Sequence, residues 1–377
     1  KFLYLAGELE TLAYAYALSE KPDYARSARM ILLRIAEVFP RYTVRAGYGY
    51  GEYADCAPHT AAEFIDHLPN DELVYPPNIP NRSIHTGYWS ASRVGTSGMD
   101  GDWVIRITVA YDLTCEARDT DGSPVFTDAE KRRIEKDVLL EGSYLAACDT
   151  SINNKSVGNR AGAAIVGLCV GHPSLVRFGL DGFVRTVDDW FLPDGGTSES
   201  AAYGMMTMAG IRTFGIAFRD YSEPEGYLGP DGKALQHFNA SRDTRYGDCW
   251  QGLIWTLQGD LHHPPIADSY ASTSISPYYA ELVALSYPTP EHYAFLQPIT
   301  GGRTPSGNAA QAAMLYRDPD LEEAPTDPFK LDDLVFPYLG QAYLRSGPQG
   351  RRSALVLNAS DWGNHHHLDS LDLIYWK

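Results

Sequence analysis

The stretch Glu8–Val38, ELETLAYAYALSEKPDYARSARMILLRIAEV, decides how the rest of the chain is read. Leu9, Leu12, Ala13, Tyr16 and Ala17 recur at the spacing of one helix face, and Ala25, Ala28, Ile31, Leu32, Ile35 and Ala36 form a second. Pro22-Asp23 falls between the two faces and Pro40 follows the second. The segment therefore reads as a helical hairpin with a short turn.

The same rhythm runs outward from it. Trp103–Leu113 is followed by a turn at Asp119–Gly122, and Thr127-Asp-Ala-Glu130 is a capping box opening a helix to about Leu145. Gly158–Cys169, Leu175–Trp190, Ser200–Arg219, Tyr246–Gln258 and Ser276–Ser286 continue the series, several rich in the Ala and Gly that let helices approach closely. Long Gly, Pro and Tyr-rich loops at 41–59, 72–101, 191–199, 220–245 and 259–275 read as cleft walls on this scaffold. After about residue 325 the pattern changes. Leu339–Leu344, Ala354–Leu357 and Leu371–Tyr375 are strand candidates, with turns at Gly347-Pro348 and Asp361–Gly363. Three strands are too few for an independent sheet domain. The expected organisation is a helical domain over 1–325 and the first strands of a larger β-domain over 326–377.

The 377 residues are 44% hydrophobic and 21% charged, with 25 Tyr and a formal charge of −17. This composition excludes a disordered acidic chain. The charge argues against a nucleic-acid binder, which needs clustered Lys and Arg. No apolar run is long enough for a membrane-spanning helix. The five cysteines are scattered without metal-like spacing; their odd number leaves at least one free or paired between chains, and a chain this long does not read as a disulfide framework. Asn81, Asn154, Asn239 and Asn358 open Asn-x-Ser sequons. Lys1 runs almost directly into a helical pattern and Leu371–Trp376 is a strand-like run with no tail, so a segment of a longer protein is expected.

Three stretches carry candidate chemistry. Asn153-Asn154-Lys155 precedes a helix, where an Asn serves as a cap or as an amide donor to a substrate carboxylate. Asp194-Gly-Gly-Thr-Ser-Glu199-Ser-Ala-Ala-Tyr203 is a tight loop running into a helix. With the helix begun by Glu199, Glu199 and Tyr203 fall on one face near its N-terminus, where positive partial charge favours a phenolate. The bland reading of Tyr203 is an amphipathic core tyrosine. In Gly363-Asn-His365-His366-His367-Leu-Asp369 an extended backbone puts His365 and His367 on one side, serving a substrate and a metal, unless the run is a solvated loop.

Together with Ala110-Tyr-Asp-Leu113, these motifs and the hairpin series resemble the heparinase II/III-like polysaccharide lyases and related alginate lyases. The resemblance implies a mainly α fold, an incomplete (α/α) toroid of helical hairpins followed by the start of an antiparallel β-sandwich domain. It implies a lyase that cleaves a uronic-acid-containing polysaccharide by β-elimination. Asn154 and His365 would neutralise the uronate carboxylate, Tyr203 would take the C5 proton and return one to O4, and His365 would be the base on the opposite face. His367 matches a position that holds a structural zinc in some members. No cofactor is expected for catalysis, with a structural zinc or other divalent metal in the β-domain. Some members carry a histidine directly after the Asn, where this chain has Lys155. The implied partner is an acidic polysaccharide or oligosaccharide, together with the remainder of the β-domain. The substrate class implies a secreted or periplasmic home.

The chemistry suits these residue types. Hydrogen bonds that neutralise the carboxylate stabilise the enolate-like transition state, as an oxyanion hole does. Among supporting residues, Ile84–Val94 brings His85, Tyr88, Trp89 and Arg93 into one cleft loop, where aromatics stack on sugars and Arg pairs with carboxylate or sulfate. Glu199 and Trp362 join them as substrate-binding candidates, while a Trp such as Trp89, Trp250 or Trp362 equally fits a core plug. Arg160, Arg242 and Arg245 read as surface charges, and His262-His263 before Pro264-Pro265 reads as an unassigned loop. The rival readings are an (α/α)-barrel glycoside hydrolase pairing Asp194 with Glu199 or Asp100 with Asp102, a uronate epimerase, and a non-catalytic carbohydrate-binding protein. For a lyase of this charge, Arg93, Lys155, Arg160 and His365 are expected to gather around one uronate, with the acidic surface elsewhere.

Overall fold

The Glu8–Val38 pattern folds, in a computed structural model of the chain, as α1 (Phe2–Ser19) and α2 (Pro22–Val38). The turn is shorter than its residues suggest. Glu20 takes a left-handed φ of 54° and Pro22 already starts α2, where its missing N–H costs nothing. The structure describes residues 2–42, 92–94, 99–147, 151–197, 199–322, 329–347, 352–361, 367 and 371–377. By packing, the chain divides into two compact units: Lys1–Phe183 with Glu223–Ala234, and Val184–Ser222 with Leu235–Lys377.

In the first unit α1 packs on α2 and on α3 (Met99–Thr114), and α3 packs on α6 (Ser156–Val170). Between them α4 (Asp128–Ile134) continues through a π turn at Glu135–Leu140 into α5 (Glu141–Ala147). The capping box opens α4, with the Glu130 amide 3.3 Å from Thr127 Oγ1 and the Thr127 amide 3.0 Å from the Glu130 carboxylate. α1 buries Ala6, Leu9 and Ala13, and the two alanines let its axis come close to its neighbours. The core adds Leu32, Phe39, Trp103, Ile107, Phe126 and Leu139, each contributing about 1.5–3 kcal/mol of transfer free energy. α3 and α6 touch through backbone: a Cβ on Gly101 would stand 2.2 Å from the Gly158 carbonyl oxygen. α7 (Pro173–Arg185) follows.

In the second unit α8 (Ala201–Ala217), α9 (Tyr246–Trp255) and α10 (Pro277–Ser286) match the expected helices, α8 and α9 ending two or three residues early and α10 starting one residue late, after its Ser276 cap. α11 (Pro290–Thr300), α12 (Gly307–Tyr316) and α13 (Pro319–Glu322) were not anticipated. Arg317, just after α12, grips buried Glu281 of α10 through two bonds of 2.8 and 2.6 Å. The sheet is an antiparallel meander, β1 (Leu334–Phe336), β2 (Gln341–Ser346), β3 (Ser353–Asn358) and β4 (Asp372–Trp376). Its register pairs Leu344 with Leu355 and Leu357 with Leu373. One face buries Phe336, Tyr343 and Val356 against Ile266 and Leu339. The other leaves Leu344, Leu357, Leu373 and Tyr375 exposed.

The fold class is thus mainly α with an antiparallel sheet at its C-terminal side, as the hairpin rhythm and strand pattern imply. Among the described residues no helix is long and apolar enough to cross a membrane. The Asn358 sequon is buried, its amide oxygen accepting from Gln341 and Ser360.

Candidate active site

The Asp194-Gly195-Gly196 turn is held by a dense set of backbone hydrogen bonds. Gly195 sits at φ 78°, and a Cβ there would lie 2.0 Å from the Asp248 carbonyl oxygen of α9. Only glycine permits that approach. Asp194 then fixes the turn from inside: Oδ1 accepts from the Gly196 amide at 3.1 Å. Oδ2 accepts from the amides of Tyr338 and Leu339 at 2.8 and 2.9 Å. Both carboxylate oxygens are engaged by backbone, which fastens the turn to the β1–β2 connection. Arg245 adds a bond to the Leu192 carbonyl at 2.9 Å.

Beyond the turn, Ser200 caps α8 by accepting from the Tyr203 amide at 3.3 Å. The helix therefore starts two residues later than a helix begun at Glu199. Glu199 lies ahead of the cap and is buried, so the i,i+4 face expected for Glu199 and Tyr203 does not form. Tyr203 is the third helical residue and half-buried, still within the turn where the helix dipole is felt. The loop Ile266–Ser269 ties this turn to the histidine segment. Ser269 Oγ accepts from the Ala202 amide at 3.1 Å, and neighbouring Asp268 meets His367 Nε2 at 2.7 Å. Ala202, the residue before Tyr203, and His367 are thus bonded to adjacent residues of one loop.

His367 is exposed, and with Asp268 it offers two donors, fewer than a tetrahedral structural zinc takes. Among the described residues no group of three or more His, Cys, Asp or Glu is arranged to hold a metal ion. His85, Tyr88, Trp89, Trp362 and His365 lie outside the described residues.

In the first unit the structure divides the two asparagines by role. Asn153 Oδ1 accepts from the Lys155 and Ser156 amides, both at 2.9 Å, and so caps α6. Asn154 is a half-buried turn residue beside it. Two expected positive groups are internal. The Arg93 side chain is 1% exposed, bonds Glu141 Oε1 at 2.5 Å and lies over the Phe39 ring. Arg160 is no surface charge: it is 2% exposed, stacks 4.0 Å from the Phe178 ring and donates to the Phe178 carbonyl. The burial of Asp100 raises its pKa, against hydrogen bonds from Ser92, Arg93 and Val94. Tyr111, in the Ala110–Leu113 match, is buried and donates to Glu135 at 2.6 Å.

His263 is the residue that sequence reading passed over. It is fully buried, and its Nδ1 lies 3.2 Å from Thr256 Oγ1. Burial pushes its pKa down to about 4, which keeps the imidazole neutral. The available signal was the pair His262-His263 itself. The isolated bridge His262–Ser274 and the His263 amide bond to the Thr273 carbonyl turn a nominal loop into buried backbone.

No family model and no curated protein matches the chain in sequence. In structure it is similar to a heparan sulfate lyase HepC mutant from Pedobacter heparinus, with a TM-score of 0.57 and 14% identity over 99% of this chain. The HepC lyase without that mutation gives a TM-score of 0.54 at the same identity and coverage. The chain spans 47% of the length of each. The likeness shows a shared fold, the helical-toroid class leading into antiparallel sheet.

Proposed function

We propose that the chain is the helical catalytic part of a polysaccharide lyase acting on a uronic-acid-containing polysaccharide by β-elimination. The observation that carries this reading is the fold likeness to heparan sulfate lyase over 99% of the chain, which takes in all three motifs. Asn154 and His365 neutralise the uronate carboxylate, which acidifies the C5 proton. Tyr203, as phenolate in the first turn of α8, takes that proton; C4–O4 breaks as C4=C5 forms, and in syn elimination the same phenol protonates O4. His365 is the base when the C5 proton lies on the opposite face. His85, Tyr88, Trp89, Glu199 and Trp362 bind the sugar, and the protein is secreted or periplasmic.

The helical part is taken over 1–325. The strands from 326 form one layer of a β-sandwich, whose second layer covers the exposed Leu344, Leu357, Leu373 and Tyr375. The paired-carboxylate hydrolase reading finds less support. Asp194 spends both oxygens on backbone amides, and Asp100 is buried against Ser92 and Arg93.

Digestion of alginate, heparan, chondroitin, hyaluronan and ulvan tests the proposal. At least one should yield unsaturated, ultraviolet-absorbing ends, lost in Tyr203→Phe and in His365→Ala. Products without unsaturated ends, or an unimpaired double variant, would overturn it.

A further inference from the structure

Behind the Asp194–Ser200 loop the second unit encloses a small cavity of about 30 Å³, room for one or two water molecules. Its wall includes Thr197, Glu199, Thr256, His263, Ser269 and Tyr343. The hydrogen-bond directions around it can be assigned from the partners. Thr256 Oγ1 lies 2.9 Å from the Gly252 carbonyl and 3.0 Å from the Leu253 carbonyl, so its single hydrogen is spent on the helix. With that hydrogen on the helix, its oxygen is the acceptor for His263, the tautomer that carries the imidazole proton on Nδ1. Nε2 is left as a bare lone pair, buried and without a protein partner.

The other walls present more acceptors. Tyr343 donates its hydroxyl hydrogen to Gln341 Oε1 at 2.8 Å, and Gln341 directs its amide hydrogens to Asn358 and Ser360. The side-chain donors remaining in the wall are the hydroxyl hydrogens of Thr197, Ser200 and Ser269, whose oxygens already accept backbone N–H groups. An occupant must therefore donate hydrogen bonds and also accept one. Water does both, and an apolar atom does neither.

We propose that this cavity is a site for ordered water, anchored on His263 Nε2, which ties the loop entering α8 to α9 and to the sheet. His263 acts through it as a positioning residue for the first turn of α8. The site stands on geometry alone and does not depend on the chain being a lyase. The bound water supplies the hydrogen bond that the buried Nε2 otherwise lacks.

Histidine-selective nitrogen NMR on the whole protein reads the site directly. The expected spectrum has the His263 proton on Nδ1, Nε2 at an acceptor shift, and a cross-relaxation peak from long-lived water to the ring. A proton on Nε2, or no water peak together with xenon uptake, would overturn the proposal. Two variants test the tie through amide exchange at Ala202 and Tyr203. His263→Asn keeps the donor to Thr256 and leaves a larger polar cavity, whereas His263→Leu removes every polar atom. At least a tenfold faster exchange in His263→Leu than in His263→Asn is expected, and equal rates would sink the positioning role.

Discussion

Replacing His263 by Gln should flatten the acid side of the second unit's stability curve. The wild-type imidazole titrates at about 4 in the folded protein because burial penalises its charged form, against 6.5 for the exposed group. The unfolded chain therefore binds the proton first. His263's contribution is complete above pH about 6.5, declines as pH falls towards about 4, and is fully lost below that. At about 1.36 kcal/mol per pKa unit, the loss amounts to roughly 3 kcal/mol. Gln cannot titrate, so the variant escapes this loss. At neutral pH it pays about 1 kcal/mol for the missing bond to Thr256. The two curves should cross: the variant is weaker near neutrality and stronger by roughly 1–2 kcal/mol near pH 4.5. His292, also lowered by burial, and the carboxylates titrate equally in both proteins and cancel. Urea unfolding followed by the indole N–H signals of Trp250 and Trp255 in NMR, across that pH range, measures the difference within the unit that holds His263. Parallel curves would refute the burial argument and the neutral lone pair that depends on it.

The Gly195 turn should tolerate no side chain. Gly195→Ala forces a Cβ towards the Asp248 carbonyl at a left-handed φ and should cost about 3 kcal/mol or more once the Asp194 bonds are pulled apart; a melting temperature within about 2 °C of wild type would count against the packing. In the first unit Glu223, with no exposed side-chain surface, is paired with Arg177, which also bonds the Lys233 carbonyl at 2.6 Å. Arg177→Ala should destabilise by about 3–5 kcal/mol, and Arg177→Ala with Glu223→Gln by clearly less, as chemical denaturation would measure; equal losses would mean that the buried charge is not the cause.

How legible each part was follows from the range of the forces involved. The Glu8–Val38 hairpin, the Thr127 box and the strands around Leu355 were readable because local periodicity and capping specify them. α11 and α12 were not, because Thr289-Pro290 and Ser306-Gly307 look like loop and Pro298 sits inside a helix. β1 is three residues long and gains its identity from pairing with β2, a partner outside any local window. In the site, the Gly-Gly turn and the Tyr203 helix were legible, but the exact helix start was not. Ser200 rather than Glu199 takes the cap, since its hydroxyl reaches the Tyr203 amide, and one such bond rotates Glu199 off the face. The fates of Arg93, Arg160 and His263 were illegible for a different reason. Each is polar in sequence and buried in structure, and only a tertiary partner, Glu141, Phe178 or Thr256, decides that.

Those fates change what the net charge of −17 implies. A cleft that gathered Arg93 and Arg160 around a uronate would attract a polyanion by full charges. Both are committed to internal pairs and stacks, so that attraction falls on fewer groups. An amide and an imidazole neutralise a carboxylate by hydrogen bonds, which strengthen as charge moves into the enolate and need no standing positive field. An acidic protein can therefore act on an acidic polymer if the donors are placed well. The general repulsion between the two is a long-range, salt-screened effect that fades beyond about 8–10 Å at physiological ionic strength. Placement at the C5 centre thus matters more than surface charge, which makes the tightly built Asp194–Tyr203 segment the part of the molecule on which the proposed chemistry depends.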